Sequence, residues 1–261
     1  MKQLSVVITA LFIIGCSTSP TGQRQLLLFP ESQMADMGAA AYTQMKTEIP
    51  STQDGKQRRY VNCVADAVTA VVPGATPWEV TVFDSDEINA FALPGGKIGV
   101  YTGLLKAANS PDRLAAVVGH EIAHVTARHG NARVSATYAT QAGLQIAQAL
   151  GGSASSEKRQ LLALLGLGAQ YGVLMPYGRG QESEADVIGL EYMAMAGFDP
   201  RQSVEVWRNM SELSGGAQPP TLLSTHPTHE NRISGLNAHM KTAMKLYKRA
   251  RNSGLKPACK Q

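Results

Sequence analysis

Residues 117–130 read VVGHEIAHVTARHG, with His120 and His124 four apart and Glu121 directly after the first. Three readings compete: a zinc site on a helix, a helix that merely carries histidines, or the relic of a site that no longer works. On an α-helix, residues four apart project from one face, so the two imidazoles can bind one ion together. Glu121 is rotated from them by about 100°. It stands beside the ion rather than on it, where it can take a proton from water; this is the mechanical content of H-E-x-x-H. The preceding turns are apolar (Leu114, Ala115, Ala116, Val117, Val118), which suits a buried active-site helix.

Zinc needs a third protein ligand and an open fourth position. His129 is near in sequence, but on a continuous helix it points roughly 140° away from His124, so it reads as a capping residue or as a support behind the ligands rather than as a ligand. The metzincin pattern fails too, because its Gly and third-His positions hold Ala127 and Gly130. ESEAD at 182–186 is the better source. Glu182 and Asp186 share one helix face, while Glu184 points the other way. Glu182 can ligate the ion while Asp186 accepts a hydrogen bond from a ligating imidazole and fixes its tautomer. Ala185 and Gly189 are small enough to let this helix approach the histidine helix closely.

HEIAH (120–124) followed about sixty residues later by ESEAD (182–186) resembles the HtpX/BepA/LoiP-like zinc metallopeptidases, relatives of the CAAX-prenyl proteases and the mitochondrial quality-control peptidases. The likeness runs from about residue 30 to 245. It implies a zincin-type (gluzincin) domain holding one Zn2+ per chain through His120, His124 and Glu182, with Glu121 as general base. NAFALPGG (89–96) resembles the family's strand beside the active site, which implies that Asn89, Ala90 and Phe91 hold substrate backbone by strand addition. STHPTHENRI (224–233) resembles a further family element, which implies that His226 approaches the zinc and Arg232 pairs with nearby acidic groups. Three roles for His226 stay open: an oxyanion donor, a fourth ligand that keeps the enzyme latent, or a structural residue.

The chain has 261 residues, a net charge of +4 and 44% hydrophobic residues, an ordinary globular balance with room for a sizeable core. The densest basic run, KLYKRAR (245–251), reads as a solvated helix end rather than a nucleic-acid surface, so no nucleic-acid partner is expected. Residues 1–15 read as an export signal: Lys2 is followed by an apolar run too short to span a bilayer. Ile13-Ile14-Gly15-Cys16 resembles a bacterial lipobox, which implies lipidation of Cys16, and Ser17 after it implies outer-membrane sorting. Cys63 and Cys259 then remain, and an oxidising periplasm invites one disulfide between them.

Helical patterns are expected at 31–49, 57–72, 111–129, 133–150, 157–173, 179–196, 199–213 and 228–250, with strands at 78–84 and two within 88–105. The fold class is α+β, mostly α, with a small antiparallel sheet beside the histidine helix. The expected organisation is signal peptide 1–15, lipid-anchored tether 16–30, peptidase domain 31–250 and tail 251–261. The function these readings favour is a zinc metalloendopeptidase on the periplasmic side of the outer membrane, cutting misfolded or misassembled envelope polypeptides. A chaperone-like assembly lipoprotein with a latent or structural zinc, and a zinc hydrolase of cell-wall amides, stay open beside it; the oligomeric state is left open.

Overall fold

The structure, a computed structural model, describes residues 16–74, 76–149, 177–213, 222, 226 and 232–261. The signal peptide expected at 1–15 and the helix expected at 157–173 lie outside the described residues. A hairpin of β1 (Cys16–Thr18) and β2 (Arg24–Leu26) comes first, followed by helices α1 (Glu31–Glu48) and α2 (Gly55–Thr69). Strands β3 (Glu79–Phe83), β4 (Ala90–Leu93) and β5 (Lys97–Tyr101) lead through the short α3 (Leu104–Ala107) to α4 (Pro111–Thr126). Then come α5 (His129–Ala149), α6 (Arg179–Met195), α7 (Gln202–Leu213) and α8 (Arg232–Asn252).

The fold is mostly helical, as expected, but the sheet is mixed rather than wholly antiparallel. Its order is β3-β5-β4, with β3 parallel to β5 and β4 antiparallel to it. The tight turn at Gly95 and Gly96, both at positive φ, folds β5 back beside β4. The β3–β4 connection crosses over, so β5 enters between the two and β4 is left at an edge.

Helix α4 is the axis of the molecule. Ser110 caps it by accepting from the Arg113 N–H, and Pro111 opens it where no backbone donor is needed. Every residue from Leu114 to His124 is buried, because α4 is enclosed by α2, β4, α6 and α7. Truncating Leu114, Ile122 or Met193 in this core to alanine would cost about 2–5 kcal/mol. The helix ends at Thr126, not near residue 129 as its pattern suggests. Arg128 takes a left-handed conformation (φ 59°), and α5 starts immediately afterwards at His129 on a new axis.

Helices α4 and α6 cross in backbone contact at Gly119 and Gly189. A Cβ on Gly189 would stand 2.7 Å from His120 N, and one on Gly119 would stand 2.8 Å from Gly189 O. Two further ties bind the periphery. Cys63 on α2 is disulfide-bonded to Cys259 in the tail, closing a loop with a sequence separation of 196; in the chain-entropy model a bridge of this span is worth about 5 kcal/mol. Within the segment 16–30, residues 16–26 form the β1–β2 hairpin, seated across the α4–α5 junction. Gln25 Nε2 donates to Ala127 O at 3.0 Å, and Gln23 Nε2 donates to Gly180 O at 3.1 Å.

Candidate metal centre

The close crossing of α4 and α6 brings His120, His124 and Glu182 to one point, and His226 joins them from the far side. One donor atom from each, all buried, lies within 4.8 Å of the others. His120 Nε2 is 3.1 Å from His124 Nε2 and 3.2 Å from His226 Nδ1. Glu182 Oε1 is 3.0 Å from His226 Nδ1 and 3.4 Å from His124 Nε2. Donors about 2.0–2.1 Å from a tetrahedral zinc stand about 3.3–3.4 Å from one another, so these four atoms have the spacing of a coordination shell. The chemistry agrees. Glu182 Oε2 and Glu121 Oε1 are buried oxygens with no hydrogen-bond partner among the described residues. The residues therefore fit a small divalent cation.

The electrostatics also favour positive charge at this point. Burial opposes the charge on Glu182, but hydrogen bonds from His120, His124 and His226 outweigh it and hold the carboxyl well below the usual range. Burial and Arg232 push His120 down, yet hydrogen bonds to Asp186 and Glu182 carry it up to about 9. Burial pushes His124 well below an ordinary histidine, so its ring is neutral and free to act as a ligand. Glu121 is raised chiefly by burial, the direction that suits a group alternating between base and acid. Its Oε1 stands 3.4 Å from His226 Nε2.

Each histidine of the pair is held from behind. His120 Nδ1 meets Asp186 Oδ1 at 3.1 Å, and Asp186 in turn accepts from Arg232 Nε at 3.1 Å and Nη2 at 2.7 Å. Arg232 also lies 3.5 Å from the centre of the Trp207 ring and 3.3 Å from Glu182 Oε2. His124 Nδ1 is 3.0 Å from His129 Nδ1. His129, which points away on the expected continuous helix, comes back to His124 because the break at Arg128 starts a new axis. Tyr177 stacks on His124 with ring centres 3.8 Å apart, and Arg133 covers its other side at 4.0 Å. Neither contact has a sequence signal, since Tyr177 and Arg133 carry no motif. Glu184 faces away from the cluster, as its spacing indicates, but it is buried beneath the hairpin.

A groove of about 620 Å³ leads from the cluster along the end of β4, lined in part by His124, Tyr177, Met34, Met37, Trp78, Ala92, Leu93 and Pro94. The side chains of the residues expected to hold substrate backbone are turned to the core and the sheet. The Phe91 ring packs among Tyr42, Phe83 and Tyr101, Ala90 belongs to the main core, and the Asn89 carbonyl accepts from Tyr101 N. The β4 backbone is an edge, but the side chains reaching the groove are those of 92–94.

Comparison with known proteins agrees with this geometry. The model of Peptidase family M48 matches residues 51–240. The mitochondrial metalloendopeptidase OMA1 of Bos taurus is 31% identical over 94% of this chain and 50% of its own length. The beta-barrel assembly-enhancing proteases of Yersinia pestis and Escherichia coli are 31% and 30% identical, over 78% and 77% of this chain and 43% and 42% of their own lengths. The chain thus spans about half the length of the curated relatives it matches. With a H-E-x-x-H helix, a carboxylate from a second helix and a family match over most of its length, this chain belongs to peptidase family M48.

Proposed function

We propose that this chain is a zinc-dependent metalloendopeptidase of the bacterial cell envelope that cleaves misfolded or misassembled polypeptides. The observation that carries the reading is the convergence of four buried donors with an unbonded glutamate oxygen beside them. His120, His124 and Glu182 would hold the ion, and two imidazoles with one carboxylate suit zinc. When bound, the ion acidifies water and polarises a carbonyl. Glu121 takes the proton from the attacking water and passes it to the leaving amine. Asp186 and Arg232 keep His120 in the tautomer that presents Nε2. An extended substrate adds as a strand along the free edge of β4, with side chains entering the groove past Ala92 and Leu93.

His226 gives this reading a second aspect. Its Nδ1 stands where a fourth ligand belongs, and a centre with four protein ligands has no open position. We read this arrangement as the latent one, active once His226 withdraws. The chaperone-like alternative is then a description of the same closed state.

The envelope setting rests on the export signal and on Cys16 as the lipidated residue, which would place the chain at the periplasmic side of the outer membrane. No helix among the described residues is long and apolar enough to cross a membrane, so attachment in this reading runs through the lipid.

The test is metal content and casein cleavage by wild type, Glu121→Gln and His226→Ala. Stoichiometric zinc, with cleavage lost by about 10²–10⁴-fold in Glu121→Gln and raised in His226→Ala, is the expected result. Full zinc-dependent cleavage by Glu121→Gln overturns the role of Glu121.

A further inference from the structure

Glu184 lies two residues from a ligand of the centre and is 2% exposed, yet it faces away from the cluster. Its Oε2 is 3.1 Å from His129 Nε2. Its Oε1 accepts from Thr21 N at 3.1 Å and from Thr21 Oγ1 at 2.7 Å. His129 Nδ1 is in turn 3.0 Å from His124 Nδ1. Once His124 gives its Nε2 lone pair to the cluster, one order of protons satisfies the whole series. His124 carries its proton on Nδ1 and donates to His129 Nδ1; His129 carries its proton on Nε2 and donates to the Glu184 carboxylate.

We propose that Glu184 and His129 are positioning residues for the metal ligand His124, and that the β1–β2 hairpin completes this relay through Thr21. Thr21 is the turn of that hairpin, and its two donors hold the carboxylate in the rotamer that reaches His129. The turn is itself fixed: Gln23 N donates to Ser19 Oγ at 3.0 Å, and Ser19 N donates to Gln23 O at 2.9 Å. Beyond β2, Leu28 N donates to Ser135 Oγ at 2.8 Å and Asn131 Nδ2 donates to Phe29 O at 2.7 Å. The segment is therefore seated on α5, the helix that carries His129. Lifting the hairpin removes the donors of Thr21 and Ser19 from a buried anion and loosens the hold on the His129 ring and, through it, on His124. The seating of the hairpin sets how tightly the centre holds its metal.

This inference rests on the metal-centre reading above, and the experiment separates the two. Zinc affinity of the full chain is measured by chelator competition, together with the visible absorption of the cobalt-substituted protein and the melting temperature of the metal-free protein. Glu184→Gln and His129→Gln are each expected to weaken zinc binding by about 10–100-fold and to alter the cobalt spectrum. Thr21→Val is expected to weaken it severalfold, while Thr21→Ser, which keeps both donors, restores wild-type affinity. A purely structural network would lower the melting temperature and leave the affinity and spectrum of the folded protein unchanged. That outcome in Glu184→Gln and His129→Gln overturns the relay, and wild-type affinity in Thr21→Val removes the hairpin from it. A wild-type chain that binds no stoichiometric metal overturns the metal-centre reading itself.

Discussion

His120 and His124 present the same atom to the same centre from successive turns of one helix, but they are held by different means. Behind His120 a carboxylate meets the ring directly, and a buried guanidinium sandwiched against Trp207 neutralises that carboxylate. Behind His124 a second imidazole stands between the ring and its carboxylate, and the carboxylate is held by a hydroxyl and a backbone N–H from a peripheral hairpin. Both carboxylates come from α6, at positions 184 and 186, on different sides of that helix. The contrast separates two jobs. The Asp186–Arg232 side is part of the core, and its failure strands a charge. The Glu184–His129 side can be altered from the surface.

The most damaging way to test this contrast is Arg232→Met, which leaves Asp186 and Glu182 without their cation. It should destabilise the metal-free protein by about 3–5 kcal/mol in denaturant titration, the cost of breaking a buried ion pair. Glu184→Gln should cost less, about 1–3 kcal/mol, the scale of a lost charge-assisted hydrogen bond; equal losses would abolish the distinction. Gly189→Ala attacks what the two sides share, since its Cβ would meet His120 N at 2.7 Å and Gly119 C at 2.8 Å. It should cost about 1–3 kcal/mol and weaken metal binding, without selectivity for either side. Asp186→Asn should weaken zinc by about 10–100-fold in chelator competition while leaving the fold intact. The smallest effect is a control remote from both sides. Burial pushes Tyr42, Tyr60 and Tyr101 up to about 12. A raised phenol means that their contribution is whole below the unfolded value near pH 10 and is lost as pH rises from there towards 12. Absorbance at about 295 nm should show these phenols ionising late in wild type and variants alike; early ionisation in a variant would mean that its core, not its relay, had failed.

Much of this was legible in the sequence, and what was not has physical reasons. The capped start of α4, the H-E-x-x-H face and the pairing of positions 182 and 186 follow from helix geometry and need no tertiary information. The reading of His129 as a support rather than a ligand holds, since its ring meets His124 from behind; only its direction differs, because helix geometry does not extend through Arg128. A left-handed arginine ends the helix there, and arginine carries no sequence signal for that conformation. The spacing turns Glu184 away from the cluster, as the structure does, but nothing local says that Thr21, 163 residues earlier, covers it. The parallel pairing of β3 with β5 is not legible in the sequence, because a period of two encodes faces, not crossover direction. A backbone role for Asn89, Ala90 and Phe91 says nothing of their side chains; the Phe91 ring belongs to the aromatic cluster behind the sheet, and the side chains lining the groove begin at Ala92.

The glycine pair at the helix crossing acts as a gauge block. Because the backbones of α4 and α6 touch at Gly119 and Gly189, the helices themselves set how closely the backbone of Glu182 stands to that of His120 and His124. A centre built on this crossing would sort ions by size. A calcium ion, which takes about six to eight oxygen donors at roughly 2.3–2.6 Å, would find one carboxylate among three imidazoles. A small four-coordinate ion fits the spacing that the two helices have already fixed.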